Sequence, residues 1–412
     1  MKTYLVGGAV RDTLLGKTVK DRDWVIVGAT PDQLLQQGYT AIGKDFPVFL
    51  HPHSHEEYAL ARTERKIGSG YHGFSCETGS HISLEQDLAR RDLTINALAQ
   101  NDDGQIIDPY GGQADLTAKI LRHVSPAFAE DPLRVLRVAR FAARYADDGF
   151  SIAPETLELM QQIVQQGELV HLSAERIWLE THKALGEARP DIYIEVLQQC
   201  GALQALFPEI DQLFGVPQRA EYHPEVDTGI HILMCLRVAA RDHLSTRARF
   251  AVLVHDLGKG ITPKEQLPRH INHEHTGVAL VTALCERYKV PRDYQQLAEM
   301  VCQYHLDCHR VVELQAKTLW GKLQKLDAIR RPERFIEFLQ ACQADAQGRL
   351  GLEHKPYPQF DYFRQAQQVV AQITPKQLAN LSQLNGAEIG HALGALRIHA
   401  LHEFKQQYLQ QS

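Results

Sequence analysis

The stretch VKDRDWVIVG, Val19 to Gly28, sets Asp21 and Asp23 on either side of Arg22 at the mouth of a run that is otherwise almost purely apolar. In an extended chain residues two apart point the same way, so the two carboxylates share one face and Arg22 takes the other. Carboxylates at that spacing can bridge divalent cations. A second group lies far downstream: His231, the pair His255–Asp256, His273, His275 and His305, in a segment from His223 to His309 that holds nine of the chain's 21 histidines. A histidine, then a His-Asp pair, then further histidines on helical segments is ligand chemistry for a divalent metal, which would activate water against phosphorus. Adjacent positions in a helix are about 100° apart, so one centre can take both His255 and Asp256 while other helices complete it. Asp307 and Asp345 are both candidates for a last carboxylate.

Between these groups lie residues suited to a nucleotide. YLVGGAVRDTLLG, Tyr4 to Gly16, reads as a strand, a glycine turn and a short helix stopped by Gly16. Gly7 and Gly8 let a phosphate approach the backbone, the helix start offers free N–H groups, and Arg11 can clamp a triphosphate. A glycine turn with an arginine, then a D-x-D strand start within ten residues, is a layout that holds triphosphate and metals together. LARRDLTINALA, Leu88 to Ala99, is read at helical spacing: Asp92 and Asn96 share a face toward a ribose hydroxyl, and Arg91 adds charge toward phosphate. In EDPLRVLRVAR the residues Asp131, Arg134, Arg137 and Arg140 recur every three positions, an oblique ridge on one helix.

The elements that must carry these residues change character along the chain. The first 120 or so residues mix short apolar strands (TYLVGG, DWVIVG, VFLH, YALAR, GQIIDP) with glycine turns, an α/β reading. From Glu130 onward helical periodicity takes over, and proline and glycine punctuate Phe207 to Gly229, where a boundary falls. At 412 residues and 44% hydrophobic the chain is long enough for several domains. A net charge of -6 excludes a broadly basic nucleic-acid binder and confines any RNA contact to local positive patches. Seven cysteines without a C-x-x-C pair fit reduced thiols in a cytoplasmic protein. MKTYLVGGAV is too short for a signal sequence, and no run approaches the roughly 20 apolar residues of a membrane span.

Taken in order, GGAVRD, DRD, RRDLTIN and EDPLRVLRVARFAAR resemble the bacterial and eukaryotic class (class II) of CCA-adding enzymes, tRNA nucleotidyltransferases of the polymerase-β superfamily, over about the first 145 residues. The histidine-rich segment resembles the HD phosphohydrolases. The resemblance implies an α+β multi-domain protein: a small mixed-sheet nucleotidyltransferase head (1–127), an all-α neck (128–222), an HD domain (228–329) and a helical tail (330–412). It implies Mg2+ on Asp21 and Asp23, with Glu57 of EYALAR as a third acidic group. Nucleotide contacts are implied for Gly8, Arg11, Arg91, Arg137 and Arg140. A second divalent ion, a transition metal such as Ni2+, is implied on His231, His255, Asp256, His273 and His305.

The activity so implied is template-independent addition of C, C and A to tRNA 3′ ends from CTP and ATP. It is joined by phosphatase, 2′-nucleotidase and 2′,3′-cyclic phosphodiesterase activity in the HD domain. The family reads the base with the aspartate and arginine that correspond to Asp131 and Arg134. Cytosine and adenine both show an amino donor beside a ring-nitrogen acceptor, which suits a carboxylate beside a guanidinium, whereas guanine and uracil mismatch both. The polar, glycine-rich Thr63 to Leu88 stands where the family has the flexible loop that orders C before A. Expected partners are the tRNA acceptor end, ATP and CTP, with no membrane and a monomer or homodimer. The rivals are a bacterial poly(A) polymerase, whose basic C-terminal extension the tail HEFKQQYLQQS lacks, and an HD phosphohydrolase whose N-terminal half only binds RNA.

Overall fold

The computed structural model describes residues 1–42, 48–66, 74–378 and 381–411. They form two compact units, Met1–Leu206 and Phe207–Ser412.

In the first unit the alternation of the apolar strands builds a seven-stranded mixed sheet from β1 (Lys2–Val6), β2 (Asp23–Val27), β3 (Thr40–Ile42), β4 (Val48–Leu50), β5 (Glu57–Leu60), β8 (Ala99–Gln100) and β9 (Ile106–Ile107). Their order is β3-β4-β5-β2-β1-β8-β9, with β2–β5 parallel and the other pairs antiparallel. The central strand β2 is apolar on both sides because both sides are covered. Val25 packs with Val6, Ala61 and Leu88 on one face, and Ile26 with Leu34, Phe49 and Leu60 on the other. Helices α1 (Gly8–Leu14), α2 (Pro31–Gln36), α3 (Leu84–Ala89) and α4 (Gly112–Ala118) flank the sheet. Two begin with capping boxes: Thr30 with Gln33 starts α2, and Ser83 with Gln86 starts α3.

The segment Thr63 to Leu88, expected as a loop, instead opens and closes on a paired ribbon, β6 (Arg62–Lys66) against β7 (Phe74–Thr78), followed by α3. Its polar, glycine-rich centre, residues 67–73, lies outside the described residues. After a two-stranded parallel pair, β10 (Ile120–Leu121) and β11 (Ser151–Ile152), the unit is helical: α5 (Leu133–Tyr145), α6 (Pro154–Gln165), α7 (Ala174–Leu185), α8 (Pro190–Gln199) and α9 (Ala202–Leu206). Helix α5 is wedged among the others, and Val135, Leu136, Val138, Ala139 and Ala143 have no solvent exposure. Arg134 and Arg140 are buried with them and Arg137 between them is partly exposed, so the arginine ridge is largely an interior feature and not a solvated face.

The second unit is all helical among the described residues: α10 (Pro208–Asp211), α11 (Thr228–Arg241), α12 (Thr246–Val254), α13 (His273–Arg287), α14 (Arg292–His309), α15 (Ala316–Lys325), α16 (Pro332–Gln347), α17 (Pro358–Ala371) and α18 (Gly386–Gln411). None is long and apolar enough to cross a membrane.

Candidate active sites

In the head, strand register assembles the acidic site. Antiparallel pairing sets Val6, the last residue of β1, opposite Asp23, the first of β2, and parallel pairing sets Asp23 beside Glu57 of β5. The glycine turn that follows Val6 is thereby delivered to the edge where Asp21, Asp23 and Glu57 stand exposed. Gly7 turns the chain at a φ of 69°, a conformation that favours glycine, and a Cβ there would come within 2.7 Å of Arg91 Nη1, so a larger residue would also displace that guanidinium. Partial withdrawal from water raises the Asp23 carboxyl above its ordinary value, Arg91 opposes this, and the like charge of Asp21 adds to it. Carboxylates gathered at one sheet edge are ligand chemistry for a divalent cation.

Arg11 does not stand free at the turn. It is 3% exposed, donates from Nε to Asp12 Oδ1 (2.9 Å) and from Nη1 to Asn96 Oδ1, and lies over the rings of Phe141 and Tyr145. Leu88–Ala99, read at helical spacing, is not a helix: α3 ends at Ala89, Leu93 bridges His123, and a single 3-10 turn spans Thr94–Asn96. The cause is tertiary, because Asp92 bonds the backbone N–H of Leu93 (2.8 Å) and takes two bonds from Arg137 of α5 (2.7 and 2.8 Å). Asp92 and Asn96 nevertheless meet, with Asn96 Nδ2 donating to Asp92 Oδ1 at 2.9 Å. Burial works to raise the Asp92 carboxyl, but Arg137 and Asn96 outweigh it and hold the group well below the ordinary carboxylate range.

The ridge residues have separate partners. Asp131 lies two residues before α5, accepts from Leu133 N (3.1 Å) and pairs with Arg176 (2.8 Å). Arg134 donates to the carbonyls of Ala127 and Arg90, each at 2.5 Å. Arg140 bonds Glu180 at 2.7 Å, and Arg137 approaches the same glutamate at 3.8 Å. Glu180, 3% exposed on α7, thus links the two arginines; sequence spacing could not mark it, since it arrives from another helix.

In the second unit five helices converge. His231 comes from α11, His255 and Asp256 from the turn that ends α12, His273 from the first position of α13, His305 from α14 and Asp345 from α16. The His-Asp pair sits past the helix end, with His255 as the cap of α12, instead of on two faces of a continuing helix as the sequence reading has it. Asp256 lies 3.3 Å from His255 Nε2, 3.3 Å from His273 Nε2 and 3.7 Å from His305 Nε2. Asp345 lies 3.1 Å from His231 Nε2 and 3.7 Å from His255 Nε2. Between the two candidate aspartates the structure therefore selects Asp345, and Asp307 is paired with Lys322 instead. His275 is exposed against Glu274.

The outward nitrogens are anchored: Nδ1 of His255 faces Val252 O (2.8 Å), that of His273 faces His270 O (2.8 Å), and that of His305 faces Cys302 O (2.9 Å). This leaves each Nε2 directed inward, the arrangement that metal-binding histidines use. His255 Nε2 and Asp256 Oδ1 are buried with no hydrogen-bond partner. Two orphaned buried polar atoms at the focus of four histidines and two carboxylates fit a divalent metal.

Three neighbours escaped the sequence reading. Glu225, whose side chain is 2% exposed, approaches Nδ1 of both His223 (3.0 Å) and His231 (3.1 Å). His309 Nε2 meets Asp345 Oδ2 at 2.7 Å, and Lys259 Nζ meets Asp256 Oδ2 at 2.6 Å. Burial alone would raise the Asp256 carboxyl, yet His255 and Lys259 hold it well below the usual range. The other missed residue is Gly258, whose added Cβ would stand 2.0 Å from His273 O and 2.8 Å from Gly277 N. Gly258→Ala is therefore expected to push α13 away from Asp256, destabilise the second unit by about 2–3 kcal/mol and weaken metal uptake there. A thermal melt with a metal titration checks both effects.

The comparisons with known proteins agree with this division of chemistry. Residues 3–122 match the Poly A polymerase head domain family, residues 149–214 the family described as probable RNA and SrmB-binding site of polymerase A, and residues 228–328 the HD domain. A solved Thermotoga maritima CCA-adding enzyme, complexed with tRNA-CCA, shares the fold: its TM-score is 0.62 at 20% identity, with 100% of this chain and 91% of that one covered. The multifunctional CCA protein of Hahella chejuensis is 60% identical over 406 residues, 98% of this chain and 96% of the relative. That of Acinetobacter baumannii is 61% identical over 408 residues, 99% of this chain and 98% of the relative. Full-length identity at this level places the chain in the multifunctional CCA protein family.

Proposed function

We propose that the protein adds C, C and A to the 3′ end of tRNA from CTP and ATP, releasing pyrophosphate, and hydrolyses phosphoesters at the centre of its second unit. The observation that carries the first part is the strand register that brings the Gly7–Gly8 turn to the same sheet edge as Asp21, Asp23 and Glu57. Mg2+ on Asp21 and Asp23 would supply charge stabilisation for the attacking 3′-hydroxyl oxygen and the departing pyrophosphate. The backbone at Gly8, with Arg91 beside it, faces the triphosphate. Arg11, fixed by Asp12 and Asn96, holds the turn and α1 in place. Asp92 and Asn96 orient one another for the sugar, and Arg137 and Arg140 line the nucleotide from α5.

Base choice falls to Asp131 and Arg134. Asp131 must then exchange its Arg176 partner for the amino group of the incoming base, and Arg134 must release at least one of its two carbonyl partners, Ala127 and Arg90, to donate to the ring nitrogen. Uracil and guanine would leave both groups facing the wrong partner, a mismatch of several kcal/mol (roughly 10³-fold or more). In the second unit a divalent ion on His231, His255, Asp256, His273, His305 and Asp345 would supply a Lewis acid and an activated water for phosphatase, 2′-nucleotidase and 2′,3′-cyclic phosphodiesterase chemistry. Ni2+ suits so many imidazoles. The acidic net charge leaves tRNA to be held by the shape and backbone of its acceptor arm.

The reading is tested by giving the protein tRNA trimmed of its CCA and one nucleotide at a time. CTP alone is expected to extend the RNA by two residues, and UTP or GTP not at all. Extension by UTP at a rate near that of CTP would remove the role given to Asp131 and Arg134.

A further inference from the structure

The carboxylate that reads the base already has a partner. Asp131 Oδ1 accepts from Leu133 N at 3.1 Å, and Oδ2 accepts from Arg176 Nη2 at 2.8 Å. The backbone bond belongs to the approach to α5, so Oδ2 is the oxygen whose partner can be exchanged. What Arg176 gives it is an N–H donor, the same group that the exocyclic amino nitrogen of cytosine or adenine would bring. The guanidinium therefore stands in for the base. The side chains of Arg176 and Asp131 are 25% and 22% exposed, so the pair is within reach of solvent.

Arg176 is held at that place by its helix. It lies in the first turn of α7, where Ser173 Oγ accepts from its backbone N–H at 3.4 Å. Four residues on, and so on the same face, Glu180 Oε2 accepts from Arg140 Nε of α5 at 2.7 Å. Glu187, just past the end of α7, takes Arg140 Nη1 at 3.3 Å. A helix clamped to α5 along its length keeps Arg176 opposite Asp131.

Such an occupant treats right and wrong bases differently. Cytosine or adenine replaces it donor for donor, and breaking a partly exposed ion pair costs a correct nucleotide little. Uracil or guanine brings a carbonyl, which cannot take over the donor's role. Beside an unpaired Asp131, a water giving one hydrogen to the carboxylate and the other to that carbonyl would bridge the mismatch. Arg176 fills the place such a water needs.

We infer that Arg176 is a positioning residue that guards Asp131: it keeps the bridging water out and gives way to an amino donor, so part of the discrimination against uracil and guanine resides in α7. The inference rests on the reading of Asp131 as the base reader and adds the residue that sharpens its choice. It is an element of specificity directed against the wrong partner.

The test measures kcat and KM for CTP and UTP on tRNA trimmed of its CCA, and for ATP on tRNA ending in CC, with the full chain and Mg2+. In Arg176→Ala the KM for CTP and for ATP is expected to fall about two- to fivefold, because the ion pair no longer has to be broken. The CTP-to-UTP ratio of kcat/KM is expected to fall about tenfold or more, because water now bridges the mismatch. Arg176→Lys, which keeps a donor there, should hold the ratio within about threefold of wild type. If Arg176→Ala melts early, Arg176→Met, which keeps the stem and drops the donors, carries the same expectations. A residue that only braced α7 would change all three nucleotides alike and leave the ratio where it was. A rise in KM for CTP, or a ratio in Arg176→Ala and Arg176→Met equal to that of wild type, overturns the guard. Asp131→Asn, whose amide can donate to a carbonyl, is measured beside them. If it keeps the wild-type ratio, the base-reading role itself fails and takes the guard with it; if it loses the ratio while Arg176→Ala keeps it, the guard alone falls.

Discussion

Asp21→Ala together with Asp23→Ala is expected to lower nucleotide addition by on the order of 10³-fold or more, while phosphoester hydrolysis stays within about twofold of wild type. Both side chains are exposed at the start of β2, so neither contributes packing and the melting temperature should barely move. The loss is chemical: of the three carboxylates that stand near the glycine turn, only Glu57 is left to hold a cation. Asp23→Asn separates charge from shape, and it should lose nearly as much as alanine because an amide keeps the volume but is a poor ligand for Mg2+. Primer-extension assays on trimmed tRNA, with hydrolysis of a 2′,3′-cyclic nucleotide measured on the same preparation, check the result. A protein whose N-terminal half only binds RNA would show no change in any activity.

The reciprocal experiment has the second largest effect. His255→Ala with Asp256→Ala is expected to abolish hydrolysis and reduce bound divalent metal, while nucleotide addition persists. Asp256 is the shared neighbour of His255, His273 and His305, and its removal disperses the ligand set. The change is not conformationally silent. Lys259 would lose its carboxylate partner and keep Gln218 Oε1 at 2.6 Å, and an unpaired buried charge costs about 3–5 kcal/mol. His273→Ala therefore accompanies it, because it removes a ligand and leaves the Lys259–Asp256 pair intact. Metal content by elemental analysis, beside both activity assays, separates ligand loss from unfolding: His273→Ala should show depleted metal at nearly wild-type melting temperature.

The strands and the acidic face were legible because their signals are local. TYLVGG, DWVIVG, VFLH, YALAR and GQIIDP all became strands of one sheet, and a period of two with flanking glycines needs no knowledge of neighbours. Leu88–Ala99 misled for the opposite reason. Asp92 and Asn96 are four apart and do bond, but through a 3-10 turn anchored by Arg137, an interaction from a helix that begins 41 residues after Asp92. The second centre divides in the same way. The histidines and the His-Asp pair stand out by type, whereas Asp345 stands level with Asp307 as a candidate until α16 brings it to His231. Glu225 and Glu180 carry no spacing signal, since each reaches its site from a separate element, whereas His309 stands four residues after His305 on α14, a helical spacing that marks it.

The most direct test of the account is the sequence of the RNA 3′ ends made by the wild-type protein. tRNA that stops before its CCA is incubated with Mg2+, CTP and a large excess of ATP. The account predicts ends that read CCA and go no further. Long runs of A, or ends with no C, would contradict it and make the chain a poly(A) polymerase.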